Sequence, residues 1–101
     1  MSAEEARTIA ERLIQEEKVK HMAVLIYMLH VDQCLEKDLR EAMTGGRYLA
    51  DVRTTRAVLD ELIKLGLIEM GRLKRYKTYT LTEKGRAVAE ELARRAQLAG
   101  F

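Results

Sequence analysis

Asparagine, tryptophan and proline are absent from this chain, and there is one cysteine. A single cysteine allows no disulfide framework, so a reducing cytoplasm is the expected compartment. No hydrophobic run nears the length of a membrane span: Met22 to Leu29 is apolar but short, and is followed by His30 and Asp32. The opening Ser2-Ala-Glu-Glu5 has the wrong chemistry for a signal peptide. Catalytic patterns are missing as well. There is no Ser-His-Asp arrangement, no phosphate-binding glycine loop and no HExxH, so neither an enzymatic activity nor a cofactor is expected. The lack of asparagine, with few glutamines and 34% charged residues, is compatible with a thermophile.

What is present fits one domain, residues 1–101, with one modest core of the kind often steadied by oligomerisation. The net charge of +2 hides an asymmetry. Residues 1–46 hold 6 basic and 9 acidic side chains, residues 47–86 hold 10 and 5, and residues 87–101 cancel. Concentrating cations on one segment is the electrostatic footprint of a nucleic-acid binder.

That segment centres on Asp51 to Lys77. Asp51 is a good N-cap, because its carboxylate can accept from an orphan N–H of the first helical turn. Val52, Thr55, Leu59, Leu62 and Ile63 recur at helical spacing, and Gly66 then supplies a left-handed stop, with Leu67 placed to touch Leu62. The opposite face carries Arg53, Thr54, Ala57, Asp60, Glu61 and Lys64, with Arg56 on its flank. Cations come early and acids late, the order that suits a helix entering a DNA groove N-terminus first. A β-hairpin follows, Leu67–Met70 with Tyr76–Leu81, and its tip holds Arg72, Lys74, Arg75 and Lys77 with no acid. Period-2 alternation puts Ile68, Met70, Tyr79 and Leu81 inside and Glu69, Thr78 and Thr80 outside.

Gly66-Leu-Ile-Glu-Met70, the basic hairpin and Tyr79-Thr-Leu-Thr-Glu-Lys-Gly85 resemble the winged helix-turn-helix of MarR-type and PadR-type transcription regulators, small prokaryotic ones in particular. The resemblance covers roughly residues 20–98. It implies a mostly α fold with a small β-hairpin (α+β), in which residues 36–43 are the first helix of the motif and 52–65 the recognition helix. The turn between them, Thr44 to Ala50, is longer than the family's usual three or four residues, and Gly45 and Gly46 make it flexible. It also brings Arg47 and Tyr48 close to the path of a DNA backbone.

The flanks complete the pattern. Ser2-Ala-Glu-Glu5 is a capping box, and no glycine or proline interrupts Ser2 to Val31. One long helix or two meeting near Glu16 to Lys20 would both fit, and the loss of phase across Gln15-Glu-Glu-Lys18 favours two. The second, about 19–31, is nearly all apolar and should be the central core helix. A short strand is expected at Cys34-Leu35, and Thr82 should cap a last helix, 83–98, with apolar positions at Val88, Ala89, Leu92, Ala96 and Ala99. A minimal winged helix needs neither residues 2–17 nor the last helix, yet both carry apolar stripes that must be buried. Two chains interlocking through Ile9, Leu13, Val88 and Leu92 would bury them; folding back on the same chain is the alternative.

Other candidates are weaker. His30 and Cys34 have the four-residue spacing of two metal ligands on one helical face, and Asp32 lies between them. The only other histidine is His21 and no further cysteine exists, so no metal is expected and Cys34 reads as a small buried residue. Tyr27 and Tyr48 are packing aromatics, or line an effector pocket as the resemblance would allow. Leu73 at the hairpin tip is placed to probe a minor groove. The expected function is sequence-specific binding of double-stranded DNA as a homodimeric transcription regulator. Arg53, Thr54 and Arg56 would act from the helix, Arg72, Lys74, Arg75 and Lys77 from the hairpin, with help from Lys37, Arg40, Arg47 and Tyr48. The alternatives are an architectural, non-specific DNA protein and a winged-helix protein-interaction module.

Overall fold

The computed structural model describes residues 2–98, and in them eight elements follow one another: α1 (Ala3–Gln15), α2 (Val19–Met28), β1 (Cys34–Leu35), α3 (Glu36–Ala42), α4 (Val52–Lys64), β2 (Ile68–Leu73), β3 (Tyr76–Leu81) and α5 (Glu83–Leu98). Ala99, the last position of the expected C-terminal stripe, lies outside the described residues.

Ser2 begins α1 as an N-cap, its hydroxyl accepting from Glu5 N at 3.1 Å. The helix then ends as two helices require. Glu17 takes φ 54°, with its N–H donating to Ile14 O at 3.1 Å and that of Lys18 to Leu13 O at 3.0 Å. The end of α4 is built the same way around Gly66, at φ 74°, where Gly66 N donates to Ile63 O at 2.9 Å and Leu67 N to Leu62 O at 3.0 Å. Both are the paired-bond stop of a left-handed residue. Glycine adopts that conformation freely, whereas Glu17 carries a Cβ strain of about 1 kcal/mol.

The core helix α2 buries Val24, Leu25 and Met28 and ends at Met28 rather than near Val31. Its last turn tightens through Leu29 N to Ile26 O and His30 N to Tyr27 O, which frees the chain to reach β1.

The three strands are antiparallel in the order β1-β3-β2. Cys34 pairs with Tyr79 and Leu35 with Thr78, while the hairpin ladder runs from Ile68↔Leu81 out to Leu73↔Tyr76. The first hairpin strand therefore continues past Met70, where alternation of apolar residues had ended. A ladder needs backbone partners, not apolar side chains. Ile68 and Tyr79 are buried as expected. Two positions are corrected: Met70 is 48% exposed and Thr78 only 2%. The hairpin has left the body by Met70, whereas Thr78 lies on the central strand between Leu35 and Gly71. Gly71 makes room for it, since a Cβ there would meet Thr78 Oγ1 at 3.3 Å.

Thr82 joins α4 to α5. Its hydroxyl accepts from Gly85 N at 2.9 Å and donates to Gly66 O at 2.6 Å. Gly85 is required by space: a Cβ there would come within 1.7 Å of Leu67 O.

The two terminal helices fold back on their own chain. α1 and α5 pack on each other and on α2, so Leu13, Val88 and Leu92 are buried within the chain and Ile9 is half-buried against the same core. The stripes expected to await a partner largely cover each other. What stays open is a trough of about 550 Å³ beside them, between the end of α1, α2 and α5.

Candidate nucleic-acid interface

The N-terminus of α4 is held by Asp51, which accepts from Thr54 N at 2.7 Å and from the Thr54 hydroxyl at 2.9 Å. These bonds, the Thr54 N–H first, hold the Asp51 carboxyl below its ordinary pKa, helped by the Arg53 N–H and by Arg40. Two consequences follow for recognition. The Thr54 N–H is already turned toward an acid, so it is not free for a phosphate. The Thr54 hydroxyl proton is committed, which leaves its oxygen only as an acceptor. Thr55, Val58, Leu59 and Leu62 are buried, while Arg53 and Arg56 are exposed. Val52 and Ile63, expected on the inner stripe, lie at its edge and remain exposed.

The long turn before α4 is cross-braced. Gly45 and Gly46 take φ 67° and 83°, which a side chain would resist, and Thr44 is buried beneath them. Thr44 Oγ1 lies against the carbonyls of Glu41 and Tyr48 and accepts from Tyr48 N at 3.2 Å. Arg40 Nε donates to Ala50 O at 2.7 Å, and Ala50 N returns a bond to Arg40 O at 3.0 Å. Arg40 is thus spent on bracing the turn. Arg47 donates to Thr44 O at 3.1 Å and stays exposed, as does Tyr48 at 64%. Tyr48 and Tyr27 do not share a pocket. Tyr27 lines a separate cleft of about 380 Å³ between α2 and α3, where burial, Asp38, Cys34 and Glu41 raise its phenol pKa.

On the hairpin, Arg72 faces Lys77 directly across the ladder, and Lys74 and Arg75 form its two-residue turn. Like charges opposite each other destabilise a hairpin, and no ion pair among the described residues relieves them. Lys74 takes φ 59°, and the Arg75 guanidinium lies 5.7 Å from the Tyr76 ring centroid. Leu73 is exposed at the tip.

A cleft of about 370 Å³ gathers residues far apart in sequence: Leu35, Glu36 and Lys37 at the start of α3, Arg56 on α4, and Arg75, Tyr76 and Lys77 on the hairpin. Pairing of β1 with β3 explains this, because it carries the start of α3 under the hairpin. Glu36 was not anticipated there; it approaches Arg56 Nε to 3.9 Å. Also unanticipated is a hydrogen bond between buried His21 on α2 and Glu61 on α4, with Lys18 Nζ 3.6 Å from the same carboxylate. Forty residues separate that pair, beyond any local pattern.

Cys34 is fully buried and its Sγ donates to Val31 O at 3.5 Å. Burial and Asp38 push its thiol up to about 11, so it remains protonated near neutrality, unlike a thiolate ligand or nucleophile. His30 is exposed, and among the described residues no three His, Cys, Asp or Glu side chains group to hold a metal ion. No helix among them is long and apolar enough to cross a membrane.

The sequence matches no family model and no curated protein. Solved structures do match. A MarR family transcriptional regulator from Silicibacter pomeroyi is similar at TM-score 0.70 and 23% identity, over 94% of this chain and 67% of that one. A mutant of ZitR from Lactococcus lactis, in apo form, is similar at TM-score 0.69 and 21% identity, over 98% of this chain and 76% of that one. The fold is a winged helix-turn-helix. In this winged helix, α3 and α4 are the helices of the motif, joined by a braced connection through residues 43–51, and β2 and β3 form the wing.

Proposed function

We propose that this winged helix is a sequence-specific regulator of transcription that binds double-stranded DNA as a homodimer in the cytoplasm. Residues 52–65 of each copy enter successive major grooves, and each wing rests on the backbone or in the minor groove. The observation that carries this reading is the Arg72–Lys77 pair. Two cations held opposite each other without an acid are tolerable when the partner is a polyanion. A protein of similar fold, that from Silicibacter pomeroyi, is a transcriptional regulator, which supports the same reading. Arg53, exposed on the first turn of a capped helix and outside every ion pair among the described residues, is assigned to base edges. Arg47, Tyr48, Thr54 and Arg56 flank it; Arg72, Lys74, Arg75 and Lys77 are assigned to phosphates.

The homodimer is supported by the open trough, whose walls include Ile14, Val19, Met22, Ile26, Leu92 and Ala96. Of the four residues expected at the dimer face, Leu92 reaches this trough and Ile9 keeps partial exposure, while Leu13 and Val88 are buried in the core.

Selection of bound duplexes from a random pool tests the proposal. The expected product is an inverted repeat with half-sites about 10 base pairs apart, or a multiple of that. Salt-dependent binding without enrichment would favour the architectural reading. No DNA binding at low salt would leave the wing to a protein partner.

A further inference from the structure

We infer that Glu36 is a positioning residue of the DNA-reading face, which holds the Nε edge of Arg56 back and keeps backbone phosphate from occupying that guanidinium. The inference rests on the DNA-binding reading above. Glu36 is the one acid in the lining of the cleft between α3, α4 and the wing, among Lys37, Arg56, Arg75 and Lys77. Its side chain is 26% exposed and that of Arg56 is 64% exposed, so the acid sits deeper and the guanidinium leans over it. Their closest approach, Nε to Oε1 at 3.9 Å, is attraction without a closed hydrogen bond. The anchorage of Glu36 is firm, because Cys34 and Leu35 just before it are paired to β3. Helix capping does not need it either. Asp38 performs that task, accepting from Leu35 N at 3.1 Å.

A guanidinium offers five N–H donors in a rigid fork. With the Nε edge turned toward Glu36, the two terminal amino groups remain, and they match paired acceptors such as O6 and N7 of guanine. A phosphate in the same place would bring its charge against the carboxylate. An unpaired arginine would hold phosphate on any sequence, whereas this one is steered toward a base edge. Glu36 therefore exchanges general affinity for selectivity.

The test compares wild type, Glu36→Gln, Glu36→Asp, Arg56→Ala and the Glu36→Gln/Arg56→Ala double variant, each checked by thermal melting. Binding is measured on random duplex and on the selected site over a salt series. Glu36→Gln should bind random duplex several-fold tighter at low salt, with a salt slope steeper by about one unit as Arg56 takes up a phosphate. Its preference at the guanine read by Arg56 should fall to the Arg56→Ala level. Glu36→Asp, which keeps the charge, should retain part of that preference. In the Arg56→Ala background, Glu36→Gln should no longer alter base preference. Unchanged random-duplex affinity and salt slope in Glu36→Gln would overturn the inference, as would a preference change that persists without Arg56. Failure of the wild-type chain to bind DNA at low salt would overturn the underlying reading as well.

Discussion

On α5, Glu91 accepts from Arg94 Nε at 3.2 Å and from Arg95 Nε at 3.1 Å, and Arg95 also reaches Glu11 of α1 at 3.6 Å. On the wing, Arg72 faces Lys77 and no acid comes to either among the described residues. The difference separates two uses of charge. Arg94 and Arg95 are matched inside the chain, so they dress the α1–α5 contact and offer little net field. Wing cations are left unmatched at the outer end of a ribbon whose first strand buries only Ile68 and whose second buries only Thr78 and Tyr79. Changes in the body should therefore register as stability, and changes on the wing as binding.

The largest effect expected from that division is at Gly85. A methyl group there meets the Leu67 carbonyl, and backbone on both sides has to shift. Gly85→Ala should destabilise by about 3 kcal/mol, an overpacking penalty at the high end, and lower the melting temperature by more than about 10 °C. Salt dependence of DNA binding by the remaining folded protein should be unchanged. A near-normal melting curve would show that α5 can move away from Leu67, and the body would be less rigid than its packing implies.

Lys77→Glu sharpens the comparison by making stability and binding move in opposite directions. The new acid would face Arg72 across the ladder, an opposite-charge pair worth about 0.2–1 kcal/mol. Binding to every duplex should weaken, with a salt slope shallower by about one unit or more. Melting and salt-titrated binding on one preparation would check both halves. Parallel losses of stability and binding would mean that Lys77 supports the fold instead.

The smallest effect belongs to acid pH. The hydrogen bond from His21, opposed by partial burial, and then the charges of His21 and Lys18 hold the Glu61 carboxyl below its ordinary value. Because folding lowers this pKa, the stabilisation is complete above the unfolded carboxylate value of about 4.3 and is lost as pH falls through the lower folded value. Glu61→Gln should melt below wild type near neutrality, by a small margin since this carboxylate is half exposed. The gap should close at acid pH. A gap that persists unchanged through the acid range would place the contribution in packing of the α2–α4 contact.

Much of the winged helix was legible from short stretches. Ser2, Asp51 and Thr82 cap the helices expected of them, Gly66 stops α4, and Cys34-Leu35 forms the short strand. The stop at Glu17 was legible only as a loss of phase, because glutamate gives no sign that it will turn left-handed. Arg72, Lys74, Arg75 and Lys77 stood out as a run, and the hairpin carries them exposed, as drawn.

Sequence alone determined what depends on atoms within about four residues of one another: caps, stops, the apolar stripe of α4 and the charge imbalance between segments. These follow from fixed helical and strand periods and from side chains that reach only their neighbours' N–H groups. Tertiary structure decided which apolar stripes would meet. Ile9 and Leu13 on α1, and Val88 and Leu92 on α5, could by sequence meet a second copy or fold back on the same chain; more than 70 residues apart, they join one core, with Ile9 half-buried and Leu92 at the edge of the open trough. Tertiary structure also set Met70 outside and Thr78 inside, because burial depends on where a ribbon leaves the body and which strand lies at its centre. Likewise it brought Glu36 under Arg56 and His21 to Glu61, since Coulomb attraction acts through space and the chain path between the partners leaves no trace in either neighbourhood.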